Sequence, residues 1–86
     1  MKKLKNEAGL VKEALRVGEV YFEKRGAGRF DATDSQSNKI EAIYRLFVKD
    51  GLVQPLAKDQ ENELHMRHKL ALWIERQLPK EHPLKN

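Results

Sequence analysis

The chain has 86 residues, no cysteine and a formal net charge of +4. That length supports a single domain burying only about 60–65% of its unfolded surface, which leaves little room for a deep substrate cleft. The lack of cysteine excludes disulfides, cysteine-based zinc sites and thiol nucleophiles, and it fits a reducing cytoplasm.

The charge is unevenly spread. Residues 1–30 hold eight Lys/Arg and four Asp/Glu, whereas residues 31–86 hold nine of each. A solvated basic end accounts for the excess, and an anion or nucleic-acid contact is the alternative. The start "MKKLKNEAGLV" is basic, but Lys12, Glu13 and Arg16 interrupt any apolar core of a signal peptide. No run of apolar residues is long enough to span a membrane, so the expected setting is cytoplasmic.

From about Lys3 to Arg25 the pattern is helical. Leu4, Ala8, Val11, Leu15, Gly18 and Phe22 form one apolar row, and Leu10, Ala14, Val17 and Tyr21 form a second beside it. Together they cover about half of the helix circumference. Gly18 disfavours a helix interior, so its place in an apolar row points to close approach by another backbone. Gly26 is placed to stop the helix. The stretch "GAGRFDATDS" is a helix cap followed by a connector; no Gly-Lys-Ser/Thr follows, so a phosphate loop is not supported.

A capping box at "TDSQ" predicts that Thr33 opens a second helix, with Gln36 reaching back and Asp34 in the first turn. Ile40, Ile43, Tyr44 and Phe47 form its buried row, and Gly51 ends it. The connector "LVQPL" leads to a third helix, with Pro55 placed for a first helical turn. Asp59, Glu61 and Glu63 come early and Arg76 late, the order the helix dipole prefers. Met66, Leu70, Ala71, Ile74 and Leu78 line one side of this helix, with Trp73 flanking. The expected fold is all-α: a small three-helix bundle, orthogonal or up-down, with one short extra turn allowed near Pro55. Residues 1–79 form the single domain, and 80–86 form a flexible tail containing proline.

Two phrases, "FEKRG" at Phe22–Gly26 and "IYRLFVKDGLV" at Ile43–Val53, resemble pieces of the tetracycline-repressor DNA-binding domain. The segment between them, "AGRFDATDSQSNKIEA", has no second short helix and no glycine turn between helices. The part that would contact DNA is therefore missing, and no DNA-binding residue carries over. Nor does Gly51 make a helix-turn-helix, because Phe47 occupies the place where a small residue must let the helices cross. Acidic Asp59, Glu61 and Glu63 would also face phosphates. "IYRLFVKDGLVQPL" is thus expected to be the corner of a bundle. The phrases "KNEAGLVKEALRVG", "KIEAIYRLFVKDGLVQPL" and "HKLALWIERQLP" resemble an uncharacterised family of short bacterial helical proteins, a domain of unknown function. That resemblance implies a helical fold and no mechanism.

No catalytic constellation emerges. Ser35 and Ser37 belong to a helix start, where capping explains them, and no carboxylate pair sits in an apolar setting. The chain is not expected to be an enzyme, and no cofactor is implied. His65 and His68 lie three apart, one turn after Glu61, but no third fixed ligand accompanies them; they read as solvated surface histidines rather than a metal site. The remaining expectation is protein–protein contact, with another protein or with a second copy of the chain. Leu10, Val17, Tyr21 and Trp73 are the candidate interaction surface, because two apolar rows exceed what two neighbouring helices need to cover. The competing account places the first helix in the groove between the other two and buries both rows. A nucleic-acid accessory role for the basic first helix is the alternative function; specific DNA binding is not expected, because acids interleave with the bases on its polar face.

Overall fold

The computed structural model describes residues 6–82. Helix α1 spans Glu7–Lys24, α2 spans Gln36–Lys49 and α3 spans Glu63–Gln77, with a single 3-10 turn at Lys58–Gln60. No strand occurs among the described residues, and the fold is an all-α three-helix bundle. None of these helices is long and apolar enough to cross a membrane. Leu4 and the lysines at 2, 3 and 5 lie outside the described residues.

Each helix gives four hydrophobic side chains to one core: Leu10, Val11, Ala14 and Leu15 from α1; Ile40, Ile43, Tyr44 and Phe47 from α2; Met66, Leu70, Ala71 and Ile74 from α3. Helix α1 packs against both of the others. Members of both apolar rows turn inward, as in the competing account above: Leu10 and Ala14 from the second row are as buried as Val11 from the first, while Ala8 of the first row is exposed. Leu10 accordingly leaves the candidate interaction surface, with an exposure of only 1%.

Gly18 marks the crossing of α1 and α2. A Cβ added there would lie 2.9 Å from Cγ2 and 3.0 Å from Cδ1 of Ile43, closer than side-chain atoms pack. The predicted close approach is real, although its partner is a buried side chain rather than a backbone. Helices α1 and α2 end alike. In α1, Gly26 takes a positive φ, its N–H donates to the Glu23 carbonyl, and the Ala27 N–H reaches the Phe22 carbonyl. Gly51 repeats this after α2, with bonds to Val48 and from Leu52 to Phe47. Both are Schellman closures, in which a glycine adopts the left-handed conformation at no steric cost.

The start of α2 differs from expectation. Ser35, not Thr33, is the N-cap: its hydroxyl accepts from the Asn38 N–H at 3.1 Å. Asp34 is committed elsewhere. Its carboxylate accepts from the Asp31 N–H at 2.6 Å while its own N–H donates to the Asp31 carbonyl, closing a turn before the helix. As a result the first turn of α2 carries no acidic residue. A similar shift affects α3, which starts at Glu63 behind the N-cap Asn62; Asp59 and Glu61 fall before it. Pro55 lies in an extended connector, and the short turn begins three residues later, at Lys58. That connector is anchored by the buried Tyr44, whose hydroxyl accepts from the Leu56 N–H at 2.7 Å. "IYRLFVKDGLVQPL" is thus a bundle corner: a helix, a glycine stop and a strap laid on the core. Past α3, the His82 N–H donates to the Pro79 carbonyl.

Charge ties the last turn of α1 to the end of α2. Arg25 makes a two-pronged contact with the Asp50 carboxylate, at 2.8 and 3.0 Å, and the Tyr21 hydroxyl donates to the same carboxylate at 2.6 Å. The hydrogen bond from Arg25, with that from Tyr21, holds Asp50 down at about 2. The Tyr21 hydroxyl is pushed up from its ordinary value, first by its bond to Asp50 and then by burial.

Two outcomes are expected. Gly18→Ala should lower stability, because overpacking costs about 1–3 kcal/mol and outweighs the gain of about 1 kcal/mol in helix propensity. Chemical denaturation checks this, and a cycle with Ile43→Ala should show the double variant less destabilised than the sum of the single changes. The Asp50 carboxyl has its folded pKa depressed below its ordinary 3.8. Its contribution is therefore fully present above about pH 4 and is lost as the pH falls through about 2. Asp50→Asn should lower the melting temperature at neutral pH and flatten the loss of stability across that acid window, as read by thermal unfolding at a series of pH values.

Candidate interaction groove

Of the side chains expected to form a contact surface, Val17, Tyr21 and Trp73 are half-buried and pack against the core. Phe47 stands between two of them, with its ring 5.4 Å from Tyr21, edge-on, and 4.5 Å from Trp73. This aromatic chain completes the core where α1, α2 and α3 meet. Trp73 also borders a small groove of about 210 Å³ beside Leu52, Val53 and Leu72.

The two adjacent histidines part company. His68 is buried, not solvated: its Nδ1 donates to the Glu7 carboxylate at 2.8 Å, which joins the middle of α3 to the first turn of α1. Spacing within α3 could not show this, because the burial comes from α1 crossing over it. His65 is spent on the helix start, where both its N–H and its Nδ1 meet the Asn62 side-chain oxygen, at 3.0 and 2.9 Å. Among the described residues no group of three or more His, Asp or Glu is placed to hold a metal ion.

A broad concave surface lies on the outer side of α1. An open groove of about 730 Å³ follows a stripe from Ala8 through Lys12, Leu15, Arg16, Glu19 and Val20 to Glu23. Those positions recur every three or four residues and so share one helix face. Gln36 and Lys39 from the start of α2, with Arg67 from α3, form the other side. Leu15 belongs to the core at this edge, whereas Val20 is 48% exposed. Another large hydrophobic side chain, Leu64, is 56% exposed and lies one turn before Arg67 on α3.

Most charges around the groove are paired within the chain. Arg16 bonds Glu13 and holds its carboxyl below the ordinary range. Lys39 sits 3.5 Å from Glu19, and Arg29, outside the groove, sits 3.3 Å from Glu23. Lys12 and Arg67 have no such acid among the described residues. Arg67 is unusual in a second way: its Nε is buried without a hydrogen-bond acceptor, and no other buried side-chain nitrogen or oxygen among the described residues is left so. An unmet buried donor carries a desolvation cost of about 1–3 kcal/mol. Ordinary surface geometry supplies such an acceptor readily, so its absence singles out this position.

Sequence reasoning missed Val20, Lys39 and Arg67. Val20 did leave a signal, as a large apolar residue outside both apolar rows of α1, one turn after Arg16 on its polar face. Arg67 left none, since only the folded bundle brings α3 beside Lys12 and Gln36.

Comparison with known proteins follows the same outline. Residues 3–85 match the model of a family described as "Domain of unknown function (DUF5062)". The solution NMR structure of VV2_0175 from Vibrio vulnificus is similar to this chain at 33% identity and a TM-score of 0.80, with 99% of this chain and 96% of that one covered. No curated protein matches the chain.

Proposed function

We propose that this chain, which belongs to that family of unknown function, is a binding module that acts by contact with another protein through the groove on the outer face of α1. A single observation carries the reading: the groove combines an exposed Val20 and a Leu15 floor with a buried arginine Nε that has no acceptor among the described residues. Apolar area that stays exposed beside unmet polar groups is characteristic of a surface that is completed by a partner. Self-association through the paired apolar rows of α1 has less support, because Leu10, Val11 and Ala14 are already covered by α2 and α3. The nucleic-acid reading is also weakened. Arg16, Arg25 and Arg29 are each engaged by a carboxylate of the same chain, which breaks up the stripe of bases that phosphates would need. In this reading the module works in the cytoplasm of a bacterial cell. The Vibrio vulnificus relative supports the bacterial setting, and a composition free of cysteine fits the compartment.

Affinity capture from native lysate with the tagged protein tests the proposal. The wild-type chain is expected to retain a stoichiometric protein that Val20→Asp loses, while Leu52→Asp, at the exposed side chain beside the Trp73 groove, keeps it. Identical retention by all three chains would refute the groove as the contact surface.

A further inference from the structure

We infer that the groove receives an acidic amphipathic helix of a partner protein, one of whose carboxylates pairs with Arg67. The inference rests on the protein-binding reading above and specifies the chemistry of the partner. Its first ground is charge. Lys12, Arg16, Lys39 and Arg67 line the groove against only Glu19 and Glu23, and Lys12 and Arg67 have no ion-pair partner among the described residues. An occupant that neutralises them carries a surplus of acid.

The second ground is the form of the unmet group. A guanidinium presents Nε and one Nη side by side, a fork that matches the two oxygens of a carboxylate. The first turn of α2 faces the same space through Gln36 and carries no acidic residue of its own, although the Glu63 carboxylate of α3 accepts from its Ser37 hydroxyl. A Glu or Asp brought against Arg67, after a small turn of its side chain, offsets a desolvation cost that the free protein already bears.

Shape supplies the third ground. The α1 stripe from Ala8 to Glu23 is about 22 Å long at the rise of a helix. Its apolar members lie along the two edges of the stripe, Ala8 and Leu15 on one and Val20 on the other, with Lys12, Arg16, Glu19 and Glu23 between them. A helix of about four turns spans that length, and one carrying both leucines and glutamates can set apolar side chains against Leu15 and Val20 and carboxylates against Lys12 and Arg67. Nucleic acid would gain nothing from the exposed Val20, which leucines of an amphipathic helix would cover.

The test uses the full chain and a capped synthetic peptide of about 14 residues, with leucine at helical spacing and glutamate on both flanks. Controls are the same peptide with lysine for glutamate, a scrambled glutamate peptide and a single-stranded DNA of matched length. Heteronuclear NMR titration is expected to shift the Arg67 Nε–H signal, the Val20 methyls and the Lys12 amide with the glutamate peptide. Arg67→Gln is expected to weaken that binding about tenfold without changing the amide spectrum of the core, and Arg67→Lys to restore little of it because the fork is gone. The inference is overturned if the glutamate peptide leaves these signals unmoved at millimolar concentration, if the lysine or scrambled peptide binds equally well, or if the DNA binds the same residues more tightly. Should Val20→Asp abolish capture from lysate while Arg67→Gln alters neither capture nor titration, the groove binds protein without the acid, and only this inference falls. Should Val20→Asp leave capture intact, the reading beneath it falls as well.

Discussion

Gly18 against Ile43 is the contact on which the bundle depends. Where α1 crosses α2 there is no space for a β-carbon, and the buried Ile43 side chain occupies the notch that glycine leaves. That proximity lets α1 sink between α2 and α3 instead of riding on one of them. Members of both apolar rows of α1 are then buried in the core, and Ala8 is left outside it. The Tyr21, Arg25 and Asp50 cluster ties the end of α1 to the end of α2, and the His68–Glu7 bond ties the start of α1 to α3.

Sinking α1 also determines what remains outside. With Leu10, Val11 and Ala14 inward, the face left to solvent is the stripe of Lys12, Arg16, Glu19, Val20 and Glu23. Helices α2 and α3 approach its margin through Gln36, Lys39 and Arg67, and a groove results. The groove is therefore a by-product of the core geometry rather than a separate insertion. Small domains have little interior to devote to a cleft, and a groove between helices is the concavity they form most easily.

The electrostatics follow from the same placement. Exposed ion pairs contribute little to stability, about 0–1 kcal/mol each, so the pairs around α1 matter more for what they neutralise than for what they hold. They occupy Arg16, Arg25 and Arg29 of the first thirty residues and, among the described residues, leave Lys12 of α1 and Arg67 of α3 without an ion pair beside the groove. Overall net charge is a poor guide to partner chemistry in such a chain. The local remainder, after pairing, is the better one.

Much of the architecture was legible in the sequence because it is written in local terms. Apolar spacing located three helices, glycines placed their ends at Gly26 and Gly51, and the break in the row at Gly18 announced a close approach, since periodicity and backbone freedom act within a few residues. Helix starts were less legible: Thr33 and Ser35 are both competent caps, and the choice was made by Asp31 and Asp34 closing a turn that removes Asp34 from the helix. What only the tertiary structure decided were the fates of Leu10, His68 and Arg67. Each sits on a helix whose own pattern permits exposure or burial, and the outcome depends on which distant helix crosses it. A one-dimensional pattern records the width of an apolar face. It does not record how many neighbours share that face, and in this chain that number separates a core from a contact surface.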